Sequence, residues 1–241
     1  MPVKYLLLDT NLVAGYYLPR SLNSIRAKER IQIILDSVRS NEADLFLYIP
    51  NFCIAETFSV FAKHAFGHWN KHVKKKRTID KRVYDSICDQ FVRDIHNGNF
   101  FYHYELSRYH VLAIDLVAPI DHYYQITRGK KNHAPMGAFD HLIIAMGIHL
   151  AHIHGNENVC IVSADDRLTN VLEKCKSNIP PNIIKKLKLD SAQKVTGKEF
   201  SSKLFPMHLN LKTATNLEMT QVFGSWPLMV GEHQSAYRWV K

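Results

Sequence analysis

The chain has only four cysteines in 241 residues, Cys53, Cys88, Cys160 and Cys175, and none of them forms the Cys-x-x-Cys spacing of a zinc ribbon or redox motif. Reduced thiols in a cytoplasmic protein are the expectation, with Cys160 read as core. The opening apolar run, Tyr5-Leu6-Leu7-Leu8, is too short for a signal peptide and meets Asp9 where such a run would continue. The longest apolar stretch, residues 142 to 153, is interrupted by His149 and His152 and falls short of the ~20 residues that span a bilayer. Gly-x-x-x-x-Gly-Lys, Gly-x-Ser-x-Gly and His-Glu-x-x-His are all missing, so nucleoside-triphosphate, serine-hydrolase and zinc-protease chemistries lack support. There is no internal repeat and no low-complexity run.

What remains is a globular composition, 46% apolar and 22% charged, with a net charge of +9. The excess is local. Residues 1 to 62 balance six basic side chains against six acidic ones, whereas residues 63 to 82 carry eight basic side chains and one acid. A concentrated basic element is the electrostatic footprint of a polyanion partner, and Trp69 among these charges adds a face for stacking on an unpaired base. Lys71, Lys74, Lys75, Lys76 and Arg77 are the phosphate-contacting candidates. Arg128, Lys130 and Lys131 form a second patch in a polar segment over residues 128 to 135. A solvated basic loop is the plain alternative.

The apolar pattern alternates strands with helices. Strands are predicted over residues 3 to 8, 45 to 49 and 159 to 162. A loop through Thr10-Asn11 leads to a helix carrying Ile25, Ile31, Ile34, Leu35 and Val38. Further helices are predicted over residues 52 to 66, from an Asp80 cap toward Gly98, over 107 to 127 with a kink or break at Pro119, over 137 to 154, and from Leu168 onward. A lysine-rich helix follows Pro180-Pro181, and Trp226 and Trp239 suggest that the tail packs on something. Such alternation predicts an α/β fold, a mostly parallel sheet covered by helices on both faces.

Asp9 and Asp165 end strands, while Glu56 and Asp140 stand in the first turns of helices. In an open parallel sheet those positions converge outside the carboxyl ends of the strands. Several ionised carboxylates brought together need a cation, and oxygen donors without cysteine favour Mg²⁺ or Mn²⁺. His149, His152 and His154 invite a zinc site, but their spacing does not put all three on one helical face.

Leu6-Leu7-Leu8-Asp9-Thr10-Asn11 resembles the opening strand motif of the PIN-domain (PilT N-terminus) nucleases. Ala55-Glu56, the helix motif Phe139-Asp140-His141-Leu142-Ile143-Ile144-Ala145 and the strand end Val162-Ser163-Ala164-Asp165-Asp166 look like that family's remaining motifs, in the same order. The resemblance spans residues 3 to 176. It implies a three-layer α/β/α nuclease domain over residues 1 to 176, with a basic insertion near 63 to 82 that the short VapC-type toxins lack. Residues 177 to 241 are expected to form an extension packed on the same domain. It further implies metal-dependent endoribonuclease activity, with single-stranded RNA favoured and Asp9, Glu56, Asp140 and Asp165 catalytic. Asp9, Asp140 and Asp165 would hold Mg²⁺ or Mn²⁺. Asn11, Ser163 and Asp166 would support them, Asp165 being preferred over Asp166 because it follows Ser163 at the family spacing. An antitoxin-like protein partner and a homodimer are open. The other reading left open is a PIN-like RNA- or protein-binding scaffold with little catalysis. An aspartyl-phosphate phosphatase would need a second Asp where Asn11 stands.

Overall fold

The computed structural model describes residues 2–19, 25–67, 78–96, 98, 100–127 and 136–229, the side chains of 125–127, 191, 194 and 195 apart. It is an α/β fold with a five-stranded, wholly parallel sheet flanked by helices, a three-layer α/β/α sandwich in the order β3-β2-β1-β4-β5. The strands are β1 (Tyr5–Leu8), β2 (Phe46–Pro50), β3 (Phe101–Tyr104), β4 (Val159–Ser163) and β5 (Met207–Asn210). Leu6, Leu7 and Leu8 of β1 and Val159, Cys160, Ile161 and Val162 of β4 are fully buried. Central parallel strands covered on both faces read as continuous apolar runs, which is why these two stood out in the sequence. β3 and β5 did not. Each is a four-residue edge strand that mixes aromatic or apolar residues with histidine, and each gains strand structure from pairing with its neighbour, β2 or β4.

The chain is wound from β1 outward to β3 and then resumes at β4 on the other side of β1. The order therefore reverses between β1 and β4, where the register pairs Leu8 with Val162 and the Asp9 N–H donates to the Val162 carbonyl at 3.1 Å. Residues leaving these two strands open onto the crevice that forms at such a reversal.

The helices are α1 (Thr10–Tyr17), α2 (Ile25–Arg39), α3 (Asn51–Phe66), α4 (Lys81–His96), α5 (Arg108–Thr127), α6 (Ala138–His154), α7 (Asp166–Lys176), α8 (Pro181–Lys186), α9 (Ala192–Thr196) and α10 (Asn216–Phe223). The expected loop after Asp9 is instead α1, a short apolar helix buried over nearly its whole length. From Leu12 onward every residue is buried, so no amphipathic period marks it. α4 begins as expected, with Asp80 Oδ1 accepting from the Val83 N–H at 2.9 Å. Pro119 does not divide α5. A helix-interior proline costs about 3 kcal/mol, but Ala113, Leu116, Val117 and Ile120 are all buried around it, and burying a large aliphatic side chain returns about 1.5–3 kcal/mol each.

The extension after residue 176 is part of the same sheet, because it supplies β5. Two cations of α2 tie it down: buried Arg30 donates to the Leu211 carbonyl and exposed Arg26 to that of Ala214, each at 3.0 Å. Trp226 packs half-buried against Phe223, with ring centroids 5.8 Å apart. A boundary at 176 would therefore cut through the core. Trp239 lies outside the described residues. Among the described residues no helix is long and apolar enough to cross a membrane.

Candidate functional site: an acidic edge

Asp9 leaves β1 as the N-cap residue of α1, yet its carboxylate makes no capping bond. It is 4% exposed, and no ion pair to it exists among the described residues. A long hydrogen bond reaches it from Asn11 Nδ2, at 3.5 Å. Burial, followed by the charges of Asp140, Asp165 and Glu56, pushes the Asp9 carboxyl up to about 7, and the Thr10 backbone N–H offsets this only in part. The four chain-distant acids therefore do share one field.

Each stands within the first two turns of a helix or at its N-cap. Glu56 is exposed one turn into α3, and Thr10 Oγ1 donates to its Oε2 at 2.6 Å, joining the starts of α1 and α3. Asp140 turns back so that its Oδ2 accepts from the Gly137 N–H at 3.3 Å. Its carboxyl is raised by burial and by Asp165, and the Gly137 N–H and the cation of Arg167 oppose the rise. Asp121 on α5 clamps the start of α6: its Oδ2 accepts from the Met136 N–H at 2.9 Å and lies 3.0 Å from His141 Nε2. Further along α6, Gly147 lets the helix lie on β4, since a Cβ there would stand 2.6 Å from Ile161 Cδ1. Asp165 is the N-cap of α7, with its carboxylate taking the Arg167 N–H at 2.7 Å. The starts of α1, α3, α6 and α7 thus all bear on the acids, and the positive ends of their dipoles favour negative charge there.

Of the supporting residues, Asn11 reaches Asp9 as expected. Ser163 Oγ accepts from the Asp165 backbone N–H at 2.9 Å, so it shapes the turn and does not touch the carboxylate. Asp166 belongs elsewhere. Lys212 Nζ at 2.7 Å and Asn210 Nδ2 at 3.0 Å hold it toward β5, and these partners lower its carboxyl below the usual range. Thr10 and Arg167 escaped the sequence reading, although each lies within two positions of a motif aspartate. All eight basic candidates, Lys71, Lys74, Lys75, Lys76, Arg77, Arg128, Lys130 and Lys131, lie outside the described residues.

The donor set suits a hard, oxygen-seeking cation. Cys53 beside Thr10 is fully buried, and burial pushes its thiol up to about 12, so it stays protonated and is no ligand. Among the described residues, however, no three His, Cys, Asp or Glu side chains converge as a metal-holding group. Magnesium does not require three direct protein ligands, because it keeps several waters and binds through one or two carboxylates. Of the three histidines of α6, His149 and His154 turn to different partners. His149 Nδ1 lies 2.5 Å from the Tyr104 hydroxyl and 3.0 Å from His110 Nε2, while His154 stacks on Tyr5 at 3.8 Å.

No family model matches the chain, and neither a curated protein nor a solved structure matches it.

Proposed function

We propose that this protein is a PIN-like, metal-dependent endoribonuclease that hydrolyses phosphodiester bonds in single-stranded RNA at the edge formed by Asp9, Glu56, Asp140 and Asp165. One observation carries the reading: Asp9 is a buried carboxylate with no cation paired to it among the described residues, in the field of three further acids at a reversal in strand order. Leaving a charge buried and unpaired costs several kcal/mol, and a divalent cation removes that cost. Asp9 and Asp140 would hold Mg²⁺ or Mn²⁺ with Asp165, directly or through water. The bound ion supplies a polarised phosphoryl oxygen and an acidified water.

The protein's own side chains do the rest. Asn11 orients the Asp9 carboxylate and Thr10 fixes that of Glu56, which is placed to accept a proton from an attacking water. Arg167, exposed beside Asp140, offers a cation to a phosphate that the acids would otherwise repel. The segment bearing Arg128, Lys130 and Lys131 is followed directly by Met136 at the start of α6, whereas the one bearing Lys71 to Arg77 is flanked by Gly67 and Thr78 at the far end of α3. About ten residues of helix, ~15 Å, separate that end from Glu56.

The test is cleavage of labelled single-stranded RNA, duplex RNA and single-stranded DNA in Mg²⁺, Mn²⁺ or EDTA. Wild type is expected to cut the RNA strand only with metal. Asp140→Asn is expected to fold normally and lose at least about a hundredfold in rate, in the range seen when a transition-state electrostatic group is removed. An Asn variant as active as wild type overturns the assignment. The other reading is an RNA- or protein-binding scaffold with little catalysis, and binding without cutting in any metal selects it.

A further inference from the structure

Beside the acids lies an aromatic pair that the proposed chemistry leaves unused. Phe139 precedes Asp140 in the first turn of α6 and is 56% exposed. Its ring lies on that of Phe52, with centroids 5.3 Å apart and planes 17° apart. Phe52 stands in the first turn of α3, four residues before Glu56, and so shares a helix face with it. The stack therefore spans the starts of the two helices that present Glu56 and Asp140. Its geometry differs from that of the core, where Tyr17, Phe61 and Phe91 meet edge to face at 63° to 80°. A nearly parallel pair whose outer ring stays in water leaves aromatic surface for a third flat ring. Adjacent helix residues diverge by about 100°, so the Phe139 ring and the Asp140 carboxylate occupy neighbouring but distinct sectors. A nucleotide needs the same division, its base set to one side of its phosphate.

We infer that Phe139, backed by Phe52, is the stacking platform for an unpaired base of the strand whose phosphate lies at the acidic edge. This rests on the nuclease reading, and it gives that reading a physical source of single-strand preference, because a base held in a duplex has its faces covered by its neighbours. Each base stacked on an aromatic side chain strengthens binding by about five- to a hundredfold in other single-strand binders.

The experiment measures kcat/KM with Mg²⁺ on a short single-stranded RNA and on a series in which one nucleotide at a time lacks its base. Wild type, Phe139→Ala, Phe139→Leu and Phe139→Trp are compared, with thermal midpoints as the folding control. The Ala and Leu variants are expected to lose about tenfold or more on the intact strand and Trp to retain most activity. In one member of the series wild type falls to the level of the Ala variant, and the two losses do not add. Leu keeps apolar cover without a π face, so a packing role would leave Leu close to wild type. Cutting by wild type with all three variants equal to it overturns the platform and leaves the nuclease standing. A wild type that neither binds nor cuts any of the RNAs overturns both.

Discussion

Two aspartates are equally hidden in this protein, Asp9 at 4% exposure and Asp94 at 3%, and their surroundings are opposite. Asp94 takes both Arg39 guanidinium nitrogens, at 2.9 and 2.6 Å, the Tyr17 hydroxyl at 2.6 Å and Gln90 Nε2 at 2.8 Å. Arg39 is covered in turn by the Phe100 ring, 4.0 Å from its guanidinium carbon. Burial keeps the Tyr16 and Tyr17 hydroxyls protonated, aided at Tyr17 by Asp94, and although burial works against a charged Arg39, Asp94 and the two tyrosines outweigh it, so this network holds one protonation state. Asp9 has acids where Asp94 has a cation. A buried carboxylate satisfied from within joins α1, α2 and α4, whereas one left unsatisfied is available to something outside the protein.

The largest expected effect comes from breaking the satisfied side. Arg39→Ala strands Asp94 as an unpaired buried charge and is expected to cost about 3–5 kcal/mol in urea unfolding, with RNA cleavage unchanged under conditions where the variant stays folded. A loss below about 1 kcal/mol would show that water reaches Asp94. Asp9→Asn should do the reverse, abolishing cleavage while stabilising the metal-free protein at neutral pH. A carboxyl raised from its ordinary 3.8 to about 7 keeps its proton in the folded state where the unfolded chain has released it. Its contribution to stability is complete below about pH 4, declines by up to about 1.4 kcal/mol per pH unit, and is gone above about pH 7.

His110 and His208, both lowered to about 4 chiefly by burial, act in the opposite direction as pH falls from about 6.5. The quantity to measure is therefore the difference between wild type and the Asn variant, which should favour the variant increasingly from pH 4 to 7. Parallel curves would remove Asp9 from the argument. Saturating Mg²⁺ at pH 7.5 should raise the wild-type midpoint and leave that of Asp9→Asn nearly unmoved. The smallest effect belongs to the exposed pair: with Lys212 and Asp166 side chains 47% and 51% exposed, Lys212→Ala should cost less than about 1 kcal/mol and leave cleavage intact.

Much of the site was legible because it is made from local signals at strand ends and helix starts. Asp9, Glu56, Asp140 and Asp165 could be placed on one edge before any coordinates, since a parallel sheet puts every such position at the same end. Asp166 shows where that logic stops. It directly follows Asp165, and its direction is set by Lys212 and Asn210, more than forty positions away. Thr10 reaches Glu56 across 46 residues, a contact no spacing announces. Phe139 was visible in a motif, but its exposure and its stacking on Phe52 were not.

By itself the sequence determined the alternation of strands and helices, the two buried central strands and the acidic character of one edge, because these follow from local periodicity and from the common direction of parallel strands. Only the tertiary structure decided that residues beyond 176 complete the sheet, that Pro119 sits inside one helix, and that Asp94 is neutralised while Asp9 is not. The physical reason is the same in each case: edge pairing, burial and charge compensation depend on groups brought together from far apart in the chain, and local pattern carries no record of them.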